Sequence, residues 1–500
     1  MKVKSQVSCP MDILTYISQC LKYILLAAAV YFITVYVVLA FLHIRFPFAL
    51  EWIEGSVLDH VRRVFTGQKV YVSPSVEFVP AIYPPLYYYL SAFISQVIGF
   101  GFMPLRLVSF ISSLGSFVLI FLIVRKETGS RFAGIAASCL FAATYRISGP
   151  YFDMGRVDSL FLFFFLAAVY VIKFTDSWKS YVFAGALVSF SALTKQTALV
   201  LSLPLILYSM FFRPRVFTAA FVITMAVVTG SASLFIDYVH NGWYSFYVFD
   251  LPRQHPVIME RLADFWTEDI LLALPFACVL SALYIFAPHS IRSKKDLCFY
   301  LMLACSMIAV ACMSRIKVGG FKNVLIPAYA SLSILFGLGL GVAFKIAGRW
   351  QKQRQKIAEI LIYLISAIQF MYLIYNPLYL IPDKRYVMSC QAVISTVAQM
   401  DGEVFAPAYG YLCVIAGKKG SAHIGATNDI LRGNPGLVRD QLIDNIRGAL
   451  QEKRFQAIIL DREFEWLQKQ LEGQYVLLPS FNSQNPARPL IKYCYVPKSK

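Results

Sequence analysis

Apolar runs recur at short intervals from Tyr23 to Tyr375, and they restrict the fold of this chain more than any motif in it. They are Tyr23 to Leu42, Tyr87 to Gly99, Met103 to Val124, Phe132 to Ser148, Ser159 to Ile172, Tyr181 to Leu193, Thr197 to Phe212, Val216 to Ile236, Ile270 to Ala287, Leu297 to Met313, Val324 to Phe344 and Ile357 to Tyr375. Several approach the ~20 residues that a helix needs to cross a bilayer. Soluble chains carry about 25% charged residues; this one carries 15%, with 58% hydrophobic. The expected fold class is a polytopic α-helical membrane protein. The net charge of +18 does not point to nucleic acid, because Lys and Arg sit in short clusters between apolar runs. There they set topology and meet anionic lipid.

Short cytoplasmic loops are enriched in Lys and Arg, and that bias selects which runs cross. The basic loops are the N-terminus with Lys2, Lys4 and Lys22, Arg125-Lys126 with Arg131, Lys173 with Lys179, Arg213 with Arg215, Arg292 with Lys294-Lys295, and Lys345 to Lys356. All are cytoplasmic only if Tyr87 to Gly99 lies along the interface instead of spanning. The expectation is therefore about eleven spans, with outer-face interfacial helices within 50–100, an outer loop over 237–269, and Lys500 outside. Tyr181 to Leu193 and Thr197 to Phe212 form a hairpin with Thr194, Lys195 and Gln196 at its outer tip.

Past residue 376 the composition changes. A linker over 377–384 leads to a soluble-type α/β segment over 385–500, expected to be extracytoplasmic and separable. Val404 to Ala406 and Ala457 to Leu460 read as buried strands, and Leu437 to Ala449 as a helix after the Gly433-Asn434-Pro435-Gly436 turn. No phosphate-cradling glycine motif opens a helix here, and no CxxC spacing implies zinc or a disulfide framework.

The outer face collects chemistry. Glu51 and Glu54 stand just after the first span, beside His60, Arg62 and Arg63; charge so close to hydrocarbon is costly and tends to be functional. A helix is expected from Glu51, since acids suit a helix N-terminus and Val57, Val61, Val64 and Phe65 recur at helical spacing. Tyr151 to Asp158 brings Asp153, Arg156 and Asp158 ahead of a span, where Asp158 reads as a cap, a functional acid, or both. Lys195 interrupts the hairpin either as a snorkelling lysine or as a fixed cation for a phosphate leaving group. The loop with Arg315, Lys317, Lys322 and Asn323 adds positive charge on the same side, which an anionic lipid head group would account for.

The order of Trp52-Ile53-Glu54-Gly55, Tyr83-Pro84-Pro85-Leu86-Tyr87, Arg156-Val157-Asp158 and Leu193-Thr194-Lys195-Gln196-Thr197 resembles the GT-C membrane glycosyltransferases. It is most similar to the bacterial family 39 and aminoarabinose-transferase-like group, over roughly Tyr23 to Phe344. The resemblance implies an inner-membrane enzyme that transfers a sugar, with inversion, from a polyprenyl-phosphate donor to an outer-face acceptor: a glycan, a lipid or a protein. Ile53 stands where the family pattern Asp-Glu-Gly has Asp. That leaves Glu54 as the matching acid and Glu51 as a substitute one turn back, and it leaves a divalent metal open; no other cofactor is implied. The roles implied are Glu54 as base, Asp158 as an orienting acid, and Lys195 with Arg156 as phosphate partners. Tyr83 lines the sugar site or anchors the interface. A lipid or sugar transporter would instead carry ionisable groups near the midplane in paired broken helices, and a noncatalytic scaffold would leave the acidic helix and Lys195 without a purpose.

Overall fold

In the computed structural model, residues 10–478 and 490–498 are described; Lys2, Lys4 and Lys500 lie outside them. Each apolar run expected to span is helical. The helices are α1 (Pro10–Ile44), α4 (Phe102–Thr128), α5 (Arg131–Ala143), α6 (Asp158–Phe174), α7 (Trp178–Thr194), α8 (Ala198–Phe212), α9 (Arg215–Val239), α10 (Pro275–Phe286), α11 (Lys294–Arg315), α12 (Ile326–Ala347) and α13 (Lys352–Tyr372). Two shorter helices, α2 (Glu54–Phe65) and α3 (Leu86–Ile98), lie between α1 and α4. At 13 residues α3 is too short to cross unaided, and so are α5 at 13 and α10 at 12. Among the described residues, five helices suffice alone by length and composition, and two further pairs qualify only as bent units, one of them turning through 89° between 261–272 and α10.

The bundle is built around α12. An apolar helix with no polar face has to be buried or in lipid, and α12 is surrounded by α4, α5, α10, α11 and α13. Its glycines permit that. A Cβ on Gly339 would lie 2.0 Å from the Leu280 carbonyl oxygen, and one on Gly337 would lie 2.7 Å from Val124 and Ala137. Small residues let membrane helices approach closely. Outer positions such as Leu234, Phe235 and Phe286 are exposed, as lipid-facing side chains are.

The segments expected to share the outer face converge at one end of the bundle. The described basic loops gather at the other, where Lys173 pairs with Glu127 and Asp296. The tail forms a four-stranded sheet of β1 (Glu403–Phe405), β2 (Phe455–Leu460), β3 (Tyr475–Leu477) and β4 (Tyr493–Pro497), in the order β1-β2-β4-β3. The pair β1 and β2 is parallel, and β4 runs antiparallel to both of its neighbours. The helix Leu437–Gln451 stands where the turn signal puts it. The tail does not keep its core to itself: Val404, Ile424 and Leu442 belong to one apolar cluster with Val57, Val61, Tyr71 and Leu105. Between the two parts, Val76 exchanges backbone bonds with Ala422 and the Asn445 side chain, at 2.9 and 2.8 Å. Arg454 pairs with Glu77 at 2.6 Å.

Candidate active site

The helix α2 starts at Glu54, three residues later than the acidic pattern suggests, because the chain first makes a tight turn closed by Glu51 itself. The Glu51 carbonyl accepts from the Glu54 N–H at 3.0 Å, and its carboxylate Oε2 accepts from the Ile53 N–H at 2.9 Å. Glu51 therefore stands off the helix, while Glu54 is drawn into the protein.

Glu54 is fully buried and fully occupied. Oε1 accepts from Arg106 Nε at 3.0 Å and the Gly155 N–H at 2.6 Å; Oε2 accepts from Arg106 Nη2 and the Leu50 N–H, both at 2.7 Å. Arg106 gives its remaining donors to the carbonyls of His43, Phe46 and Phe48 at 2.6–2.7 Å. Burial alone would raise the Glu54 carboxyl, but the Arg106 guanidinium outweighs it and holds the group below the ordinary carboxylate range. The expected base role does not fit this geometry: Glu54 has no exposure and a full complement of donors. It is the anchor of the outer loop, and Gly155 is held tightly enough that a Cβ there would lie 3.3 Å from Glu54 Oε1.

A second row of charges runs alongside. Arg156 Nη1 donates to Glu51 Oε2 at 3.0 Å, and its Nε lies 3.4 Å from Asp158 Oδ2. Lys195 Nζ donates to Asp158 Oδ1 at 2.7 Å, and Asn323 Nδ2 reaches both Asp158 oxygens at 3.1 Å. Thus Glu51, Arg156, Asp158, Lys195 and Asn323, from four separate stretches of sequence, form one network. Asp158 opens α6, yet its carboxylate makes no capping bond and turns to Lys195 and Asn323 instead. Burial pushes the Glu51 carboxyl above the ordinary range, Arg156 pulls it back and nearby Glu54 adds to the rise. Its Oε1 is buried without a partner among the described residues.

Lys195 and Tyr83 also line a cavity of about 520 Å³. Its apolar wall, including Val200, Val310 and Met313, comes from α8 and α11. Val200 and Met313 are exposed on the outside of the bundle, so the cavity adjoins the surface that faces lipid. Lys317 lines it too, with Nζ tied to the Pro252 carbonyl at 2.6 Å. The stretch 243–254 is helical and packs over the cavity, with Gln196 Nε2 holding the Val248 carbonyl at 3.0 Å. Lys322 is not in this group: it faces solvent at the start of a short turn, whose next residue, Asn323, points inward.

The donor set does not fit a divalent metal. Glu51 and Asp158, the acids of this row, are bridged by Arg156, and Asp158 is further neutralised by Lys195. A metal between them would have to displace guanidinium and ammonium groups. Among the described residues no cluster of three or more His, Cys, Asp or Glu offers an alternative.

Sequence reasoning missed Arg106 and His423. Arg106 lay in an apolar run, where a lone cation is itself a signal. His423, from the tail, donates its Nε2–H to the Trp52 carbonyl at 2.8 Å and so fixes the Glu51 turn from the far end of the chain. No spacing rule reaches across that distance.

The family model described as dolichyl-phosphate-mannose-protein mannosyltransferase matches residues 83–236. No curated protein matches in sequence. Among solved structures, the chain is similar to ArnT from Cupriavidus metallidurans, determined in the apo state and bound to undecaprenyl phosphate. The identity is 14% over 93% of this chain and 97% of that one, with a TM-score of 0.59. It is also similar to the oligosaccharyltransferase of Archaeoglobus fulgidus tethered to an acceptor peptide, at 12% identity over 94% of this chain and 74% of that one, with a TM-score of 0.50.

Proposed function

We propose that this chain, which has the fold of the GT-C superfamily of membrane glycosyltransferases and resembles ArnT, is an inverting glycosyltransferase. It moves a sugar from a polyprenyl-phosphate donor to an acceptor at the outer face of the cytoplasmic membrane. The observation that carries this reading is the row from Glu51 to Lys195, a carboxylate at one end and an ammonium at the other, beside a cavity with an apolar wall.

The chemistry needs a base on one side of the anomeric carbon and cations on the other. The lipid tail packs against Val200, Val310 and Met313, and the phosphate meets Lys195 and Lys317. Glu51, not Glu54, takes the proton from the acceptor hydroxyl or amine as the acceptor atom bonds to the anomeric carbon. The bond from that carbon to the phosphate oxygen breaks, and the charge that develops on phosphate is met by Lys195. Arg156 and Asn323 position Glu51 and Asp158 and hold them apart from one another.

The test is transfer from radiolabelled undecaprenyl-phosphate glucose, mannose, galactose and arabinose by the purified chain in nanodiscs, with envelope extract as acceptor. Glu51→Gln should slow single-turnover transfer by about two to four orders of magnitude while undecaprenyl phosphate still binds. Lys195→Ala should lose binding and rate together. Full activity in Glu51→Gln would remove Glu51 as base, and no turnover of any sugar-lipid by the wild type would overturn the reading.

A further inference from the structure

A second cavity, of about 320 Å³, lies where the Glu51 turn meets the tail. Phe46, Glu51 and Trp52 line it from the membrane part, and Asp383, Tyr386, Tyr409 and Tyr411 from the tail. It shares no lining residue with the cavity at Lys195. The charge row runs from one to the other. Glu51 is on the wall of this cavity and Lys195 on the wall of the other, with Arg156 and Asp158 between them and lining neither.

Resting on the function proposed above, we infer that this cavity is the acceptor site and that its occupant is an uncharged sugar ring at the end of a glycan or glycolipid. Three observations select that class. Aromatic rings dominate the lining, and such rings offer a flat apolar face to the C–H face of a pyranose while the Tyr hydroxyls offer polar tips at the edges. The charged groups on the wall are both acids, Glu51 and Asp383, with no Lys, Arg or His among the described lining residues. Arg156 and Arg385 pair with these two acids, so a phosphorylated or carboxylated acceptor finds no free cation among the described lining residues. The volume stands at the lower end of the ~300–1,000 Å³ range of small-molecule sites, enough for one or two rings and too small for a folded polypeptide loop. Glu51 Oε1, buried and unpartnered among the described residues, supplies the acceptor for the one hydroxyl proton that has to leave.

The placement also explains why the tail is tied to the turn. His423 holds the Trp52 carbonyl, the Ala49 N–H donates to Tyr411 Oη at 3.3 Å, and a Cβ on Gly425 would lie 2.8 Å from Ile53. Those contacts set the width of the cavity and the position of the base together.

The experiment uses the full chain in nanodiscs, purified without maltoside detergent. The probes are methyl β-cellobioside, methyl β-chitobioside and methyl mannobioside, with glucose 6-phosphate as the anionic counterpart, followed by saturation-transfer NMR and tryptophan fluorescence. At least one neutral probe should bind and glucose 6-phosphate should not. Tyr409→Ala should weaken the neutral probe by at least about tenfold, the scale of one lost stacked ring. Asp383→Arg, at an exposed position, should admit glucose 6-phosphate, whereas Leu234→Ala, on the lipid-facing outside of the bundle, should leave neutral binding within about twofold. The inference is overturned if no neutral probe binds, or if Tyr409→Ala and Asp383→Arg both match the wild type. Undecaprenyl phosphate binding is measured in parallel: its retention with no sugar binding defeats this inference alone, whereas its absence defeats the donor reading beneath it.

Discussion

Replacing Arg106 tests the anchor of the outer loop directly. Its guanidinium makes five bonds, two to Glu54 and three to the carbonyls of His43, Phe46 and Phe48. Lysine keeps the charge but presents three donors from a single point, so Arg106→Lys can hold Glu54 and at most one or two of the carbonyls. Each buried carbonyl left unpaired costs about 1–3 kcal/mol. Arg106→Leu goes further, leaving Glu54 buried without a counter-charge, and breaking a buried pair in this way costs about 3–5 kcal/mol. Arg106→Lys should therefore lose roughly 2–4 kcal/mol and Arg106→Leu somewhat more. The double variant Arg106→Leu with Glu54→Leu should lose less than the two singles added together, by about 2–3 kcal/mol. The assay is unfolding by SDS titration in mixed micelles, with the half-life at elevated temperature as a kinetic check. Arg106→Lys within about 0.5 kcal/mol of wild type, or additive singles, would show that the five-bond arrangement does not hold the loop.

The base assignment carries a pH signature. Glu51 is raised above the ordinary carboxylate value of about 4.3 by burial, so activity should be present above that raised value and fall as pH drops through it. An acid limb at the ordinary carboxylate value would contradict the assignment. Asp59 is buried in α2 and pushed up to about 6, burial outweighing its partner Arg62. Its ionised form costs the fold, so Asp59→Asn should gain roughly 2–3 kcal/mol above pH 6 and nothing below about pH 4; equal melting at all pH values would rule this out. A protease site inserted in 377–384 should leave the cleaved tail attached, because its core is shared with the outer loop. Release of the tail on size exclusion would restore the view of a self-sufficient domain.

The helices were legible because each apolar run had to find hydrocarbon or a buried slot, whatever its neighbours did. The network from Glu51 to Asn323 was legible in membership, since each member is a charged or amide group placed against the local pattern at the rim of a span. The division of labour between Glu51 and Glu54 was not. It depends on which carboxylate meets Arg106, a residue 52 positions away, and on a turn that delays the helix to Glu54. Lys322 was misplaced for a related reason: composition credits every cation in a loop equally, while the backbone turn at 322–325 sends Asn323 inward and its neighbour out. The shared core of the tail escaped because amphipathic periodicity reports that a face is buried, not what buries it.

The enclosure of α12 bears on how the protein is made. Its partners lie on both sides of it in sequence, α4 and α5 before, α10 and α11 just ahead, and α13 after. During synthesis it emerges before α13 exists, so the face that α13 later covers has to wait in lipid. It tolerates that, being apolar apart from Ser331, Ser333 and Tyr329, with its one charge, Lys345, in the last turn. Its final position is then a slot that its neighbours close around it, and Gly339, against the Leu280 carbonyl, determines whether it can slide in. A bulky residue there would let the chain insert into the membrane normally and stall it at the last stage of assembly.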